Sequence, residues 1–196
     1  MTVHRPRLLT VCASMKPAPG VDARSAVRGL LATGRDAALS FADTSAAFDV
    51  RDDPLPWFDG RSPEDLQGGA VNDLLDAVAQ ADGVIWGVTG YWGGLSGVSK
   101  NVFDLIGGGN YDQTAVRTVV TGRPSAVLAV GTDPVSAANA ARGAVEALMA
   151  LGSDVLPEPL VLGNPREGGW ESGELSDALL DLFGAVALMR RPGVPS

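Results

Sequence analysis

One cysteine and one histidine in 196 residues leave this chain short of the side chains that most catalytic and metal sites need. Cys12 has no partner for an intrachain disulfide, and by itself it furnishes neither a thiolate zinc site nor a cysteine-ligated iron–sulfur cluster. His4, close to the amino terminus, gives no basis for Ser-His or Cys-His catalysis or for a histidine metal site. No metal site is therefore predicted, and any electron transfer needs an organic cofactor. Long apolar runs are missing as well: nothing approaches the roughly 18 residues of a membrane span. The start Met1-Thr2-Val3-His4-Arg5-Pro6-Arg7 leads straight into a strand-like segment and does not read as a secretory signal. Basic residues are few, 15 against 23 acidic, for a net charge of −8, and they are scattered. That balance argues against nucleic acid and anionic membrane as partners, which draw on clustered Lys and Arg. The expectation is a soluble, cytoplasmic protein.

What the chain does have is 45% hydrophobic residues, enough for one substantial core, so residues 1–196 are read as a single domain. Strand and helix signals alternate five times. The strands are Leu8–Cys12, Ala46–Val50, Val84–Val88, Ser125–Val130 and Val155–Leu162. A first helix, capped by Asp22, carries Val27, Leu30 and Leu31 and ends near Gly34; a second starts at Ser62-Pro63-Glu64-Asp65 and buries Val71, Leu74, Leu75 and Val78. The third places Val98, Val102, Leu105 and Ile106 on one stripe, the fourth has Asp133 as N-cap and Pro134 in its first turn, and the last runs from Leu175 to Met189. This alternation predicts an α/β fold, a parallel sheet covered by helices on both faces.

The chain is organised around Val84–Leu105, where the hydrophobic period changes from strand to helix. Val84–Val88 is a continuous apolar run, as in a strand buried on both faces. Gly90, Gly93, Gly94 and Gly97 then make a loop that also holds Tyr91 and Trp92, and Ser96 is placed to cap the following helix. A glycine-rich loop between a parallel strand and a helix N-terminus is where open α/β sheets hold anionic ligands. Its aromatic rings suggest a flat one.

From Thr89 to Asp104 the sequence resembles the flavin loop of the NADPH-dependent FMN reductase family, which typically reads Pro-x-Tyr-x-Gly-Ser-x-x-Gly-x-x-Lys-Asn. Tyr91, Gly93, Gly97, Lys100 and Asn101 fall in register; Thr89 replaces the usual proline and Gly94 the common serine. The resemblance implies a flavodoxin-like, five-stranded parallel sheet of order 2-1-3-4-5, bound FMN, NADPH or NADH as hydride donor, and a homodimer or homotetramer. It implies cofactor contacts from Thr89, Gly90, Tyr91, Trp92, Gly93, Gly94 and Leu95. The family's phosphate loop, roughly Gly-Ser-x-Arg-x-x-Ser, is matched in part by Ala13-Ser14-Met15-Lys16, so Ser14 and Lys16 are phosphate candidates, with Arg24 and Ser25 as second ones. Lys16 replaces a planar guanidinium fork with a point charge, and a simple exposed lysine is an equal reading of it. Thr132, in the turn after the fourth strand, is carried over as a ring contact.

The implied activity is hydride transfer from nicotinamide to bound flavin and on to a small acceptor such as free flavin or a quinone, with no catalytic side chain. Two other readings stay open: a flavodoxin-type electron carrier, and a flavodoxin-like scaffold that has lost FMN. No Gly-x-Gly-x-x-Gly follows the first strand, which excludes the usual dinucleotide fingerprint. Trp57 and Phe58, in the loop after the second strand, read equally as a dimer contact, a pocket wall or packing under their own loop. Residues 107–122, with Tyr111, read as a lid or an oligomer contact.

Overall fold

A computed structural model describes residues 5–16, 25–61, 65, 69–108, 118–163 and 173–189. The sheet is built around β3 (Gly83–Tyr91), nine residues of which only Tyr91 is not buried. On one side β1 (Leu8–Cys12) pairs with it in parallel, from Leu8↔Gly83 to Cys12↔Gly87; on the other, β5 (Pro124–Gly131) pairs from Val84↔Ser125 to Gly90↔Gly131. β2 (Ala47–Asp49) lies outside β1, and β6 (Asp154–Val155) and β7 (Leu160–Gly163) both lie along β5. The path β2-β1-β3-β5-β6 is the expected parallel order.

Among the described residues the sheet has seven strands where five are read from the sequence. The stretch taken as one strand over Val155–Leu162 is two pieces, because Pro157 and Pro159 have no N–H to give a ladder. The other addition is β4 (Gly94–Leu95), which folds back antiparallel on the end of β3.

Alternate side chains of the strands face opposite helix layers, as a period of two requires. Leu9, Val11, Val84, Trp86, Val88 and Val127 pack against α2 (Ala70–Gln80), α3 (Gly97–Gly107) and α4 (Pro134–Ala150). Leu8, Ile85, Ala126 and Leu128 pack against α1 (Ala26–Ala38) and α5 (Gly173–Leu188). Each large aliphatic side chain taken from water here contributes about 1.5–3 kcal/mol.

Ser96 caps α3 and Asp133 caps α4 with Pro134 in the first turn, as the sequence suggests. Two helix starts differ. Ser25 caps α1, its hydroxyl accepting the Arg28 N–H, whereas Asp22, with Arg24, lies outside the described residues. α2 begins at Ala70 behind Gly69, whose φ of 76° ends any helix arriving from the Asp65 side. Ser62, Pro63 and Glu64 lie outside the described residues, as does Tyr111, and Val119–Gly122 forms turns.

At the amino-terminal edge of the sheet the buried polar groups close on one another. The Arg123 guanidinium donates to the carbonyls of Ala79, Ala81 and Val119. Ser125 Oγ accepts Trp86 Nε1–H at 3.1 Å and lies 2.8 Å from Ser153 Oγ. Trp86 meets Phe103 edge to face, with ring centroids 5.6 Å apart.

Candidate functional site

At the carboxyl edge the chain from β3 makes a two-residue hairpin, with Tyr91 paired to Gly94 and with Trp92 and Gly93 both at positive φ, 52° and 83°. Two successive left-handed residues match the right-handed twist of an antiparallel pair. Glycine takes this conformation freely, but tryptophan does so at a cost. Trp92 is fully exposed, so no packing offsets that cost.

The hairpin is tied down from α4. Gly93 N–H donates to Ser136 Oγ at 3.0 Å, and Asn139 Nδ2 donates to the Gly93 carbonyl at 2.8 Å. Ser136 is buried and its hydroxyl donates in turn to Asp133 Oδ2 at 2.6 Å. That bond, with the Ser136 N–H, holds the Asp133 carboxyl below the ordinary carboxylate range. α4 reaches the hairpin because Gly90, Gly131 and Gly163 form one row across β3, β5 and β7. A Cβ on Gly90 would lie 2.2 Å from the Ser136 carbonyl oxygen, one on Gly131 2.3 Å from Ala137 N, and one on Gly163 2.6 Å from Pro134 Cα. The bare row lets the first turn of α4 rest directly on the sheet.

Beneath the hairpin, hydroxyls join three segments. Ser99 Oγ accepts the Thr89 N–H at 3.1 Å, donates to the Ala13 carbonyl at 3.2 Å and lies 2.9 Å from Ser96 Oγ, which receives Thr89 Oγ1 at 2.8 Å. β3, the first loop and the start of α3 thereby share one polar cluster. In the first loop, Ser14 and Ser25 are buried and Ser25 Oγ lies 3.1 Å from Ser14 Oγ, beside the start of α1. Arg28 donates to the Lys16 carbonyl at 2.7 Å and to both oxygens of Asp49, and Arg51 donates to the Met15 carbonyl at 2.7 Å. These two guanidinium groups fasten the first loop to the end of β2. Cys12 lies beneath it. Burial, and then the negative charge of Asp49, push its thiol up to about 12, so it is neither a thiolate nucleophile nor a ligand near neutral pH.

Above these groups opens a cavity of about 330 Å³ lined by Met15, Lys16, Thr89, Tyr91, Ser96 and Val98. The Lys16 ammonium stands 5.4 Å from the Tyr91 ring centre and makes no ion pair among the described residues. The place is the gap between β1 and β3 where the sheet order reverses, the usual ligand position in such sheets.

Of the residues singled out from the sequence, Lys16, Thr89 and Tyr91 line this cavity, and Ser14 and Ser25 lie under the Lys16 loop. Gly90, Trp92, Gly93, Gly94 and Leu95 form the strand end and hairpin beside it. Thr132 is apart from the lining: it is exposed, and its N–H is directed to the Gly90 carbonyl at 3.3 Å. Met15, Val98, Ser99 and Ser136 were not singled out. The last two had a visible signal, a serine three residues after a helix cap in each case.

The residues present suit a flavin mononucleotide. Hydroxyls, a cation and a helix N-terminus offer what a phosphate needs. A ring, two apolar side chains and bare backbone offer what a flat heterocycle needs. A Cβ added at Gly93, Gly94 or Gly97 would meet nothing within 4 Å, so the backbone there is open to an incoming group.

Among solved structures, an apo NADH:FMN oxidoreductase (EmoB) is similar over 97% of this chain and 92% of its own, at 17% identity and a TM-score of 0.70. The flavoenzyme FerB, an NAD(P)H:acceptor oxidoreductase from Paracoccus denitrificans, is similar over 93% and 95%, at 17% identity and a TM-score of 0.66. Flavodoxin 1 from Bacillus cereus is similar over 93% and 97%, at 18% identity and a TM-score of 0.57. At such identities these likenesses show the flavodoxin-like fold. No curated protein sequence matches the chain. The sequence itself matches the profile of NADPH-dependent FMN reductases over residues 8–166, which include every residue of the cavity and of the serine cluster beneath it, and the chain belongs to that family.

Proposed function

We propose that this protein is an NAD(P)H-dependent oxidoreductase that binds FMN at the carboxyl edge of its sheet and passes electrons to a small acceptor. The observation that carries the reading is the cavity bounded by Lys16, Thr89 and Tyr91, which lies between the first loop and the stretch that resembles the family's flavin loop. Bound flavin would supply the redox chemistry, hydride transfer between nicotinamide and acceptor. The chain's own residues bind and orient. Ser14, Ser25 and Lys16, with the start of α1, hold the phosphate. Tyr91 and the Thr89–Leu95 backbone would flank the ring, and backbone N–H groups there would stabilise negative charge that develops on it. Thr132 holds the strand end at Gly90. No side chain acts as acid or base. The protein works in the cytoplasm as a homodimer or homotetramer, a reading that the exposed Trp57 and Trp92 favour. The scattered basic residues and the net charge of −8 speak against nucleic acid and anionic membrane as partners; among the described residues no helix is long and apolar enough to span a bilayer.

An absorbance spectrum of the purified protein with cofactor extraction, followed by anaerobic addition of NADPH and then NADH, tests this. A yellow protein that releases FMN and bleaches with either nucleotide is the expected result. Flavin that stays oxidised until a partner protein reduces it would mean an electron carrier, the reading that the likeness to flavodoxin 1 keeps in play. A colourless protein indifferent to added FMN would mean a scaffold without cofactor.

A further inference from the structure

The hydroxyl relay beneath the cavity runs in one sense. The Ala13 carbonyl can only accept, so it takes the Ser99 hydroxyl proton at 3.2 Å. Ser99 Oγ then has only lone pairs left, and these receive the Thr89 N–H at 3.1 Å and the Ser96 hydroxyl at 2.9 Å. Ser96 Oγ, its own proton spent, receives the Ser99 N–H at 3.2 Å and the Thr89 hydroxyl at 2.8 Å. Both serines thus have their one donor and both lone pairs engaged. Reversing the relay would leave the Ala13 carbonyl and the Ser99 oxygen facing each other with no proton between them, a buried bond lost for nothing. Thr89 ends the relay. Its proton points inward to Ser96, and its lone pairs have no donor among the described residues. The side chain is only 6% exposed, yet it lines the cavity. A hydroxyl so placed accepts as a carbonyl does and cannot donate. Proline, usual at this place in the family pattern, has neither this hydroxyl nor the N–H that Ser99 receives, so the acceptor belongs to this sequence in particular.

Resting on the FMN reading above, we infer that Thr89 Oγ1 is a one-way acceptor that takes a hydroxyl or N–H of the cofactor, and so selects ligands that present a donor to this wall. Oxidised FMN has both kinds, the ribityl hydroxyls and a single ring N–H at N3. Its phosphate and carbonyl oxygens are refused here, because lone pairs would face lone pairs where the side chain is shut off from water. The Lys16 ammonium on the same cavity has only protons to give. The two groups together orient the guest: anionic oxygens go to Lys16, and a donor goes to Thr89.

The test titrates wild-type, Thr89→Val and Thr89→Ser apoprotein with FMN and with 3-methyl-FMN, whose ring N–H is blocked, and follows the flavin fluorescence. Thr89→Val keeps the shape and removes the acceptor, so FMN should bind about tenfold more weakly, whereas Thr89→Ser, which restores the hydroxyl, should stay within about threefold of wild type. A valine penalty that vanishes with 3-methyl-FMN supports the inference with the ring N–H as partner; one that persists supports it with a ribityl hydroxyl. Equal FMN affinity of Thr89→Val and wild type overturns it, as does a penalty that Thr89→Ser shares in full. A neutron map of the deuterated wild-type protein reads the relay without any variant or flavin: the Thr89 deuteron is expected on the line to Ser96 Oγ, and a deuteron turned into the cavity overturns the inference. A protein that takes up no FMN while that deuteron lies toward Ser96 defeats the flavin reading alone, and the one-way acceptor stands.

Discussion

At the amino-terminal edge of the sheet Arg123, Ser125, Ser153 and Trp86 close their hydrogen bonds on one another in burial, whereas at the carboxyl edge the serines around Thr89 lie beneath open clefts. Both edges use the same strands, and both contain hydroxyls. At the first edge each buried group has its partner within the fold, which is what stability requires. At the second, a fully exposed tryptophan sits at positive φ with no packing to offset its cost, and a lysine over a tyrosine ring makes no ion pair among the described residues. Strain and exposed apolar surface gathered at one edge point to ligand work there.

The contrast breaks most sharply if the carboxyl edge proves indifferent to bulk. Gly131→Val places side-chain carbon against the backbone of α4, so it should lower unfolding free energy by about 3 kcal/mol and strip flavin from the protein, read by urea denaturation and by absorbance. Arg123→Met, at the opposite edge, leaves buried carbonyls without donors. It should cost about 2 kcal/mol in the same denaturation assay while FMN affinity stays at the wild-type value. Should it weaken FMN as much as stability, the two edges are not separable.

Ser99→Ala removes a hydroxyl that joins Ala13, Thr89 and Ser96. A loss of about 1.5 kcal/mol accompanied by weaker FMN binding is expected, in contrast to Arg123→Met. Cys12 gives a pH-dependent comparison. Its folded pKa of about 12 lies above the ordinary thiol value, so the unfolded chain releases the proton first as pH rises. Stability from this group is complete below about pH 8.5 and declines above it by up to about 1.4 kcal/mol per pH unit until the folded thiol itself ionises. Cys12→Ala should flatten the alkaline limb of the stability profile, and wild-type Cys12 should resist thiol reagents until the protein unfolds. The smallest effect belongs to Trp92→Asn, which relieves a left-handed tryptophan that buries nothing. Stability should rise by about 0.5–1 kcal/mol, read as a higher denaturation midpoint.

Much of this was legible in the chain. The continuous run Val84–Val88 marked the central strand, Ser96 and Asp133-Pro134 marked two helix starts, and the Tyr91–Asn101 spacing marked the strand-to-helix turn beside the cavity. The rest depended on contacts between distant residues. Nothing local tells that Gly90, Gly131 and Gly163 share one register, since they come from three strands. Nothing around Arg28 in the sequence tells that Asp49 and the Lys16 carbonyl lie within its reach. Ser62-Pro63 has the chemistry of a helix start, yet Gly69 separates it from α2. Asn101, in register with the loop pattern that precedes α3, holds Pro56 and Phe58, more than 40 residues away in sequence.

The glycine row has a mechanical consequence. With the first turn of α4 resting on bare backbone at Gly90, Gly131 and Gly163, there is no slack through which that turn can retreat. The wall that Ser136 and Asn139 give the hairpin is in effect stationary, and the side of the site that can adjust to guests of different thickness is the opposite one, where Met15 is half-exposed on a loop to which Arg28 and Arg51 donate hydrogen bonds. Changing what this protein accommodates is thus a matter of redesigning one jaw.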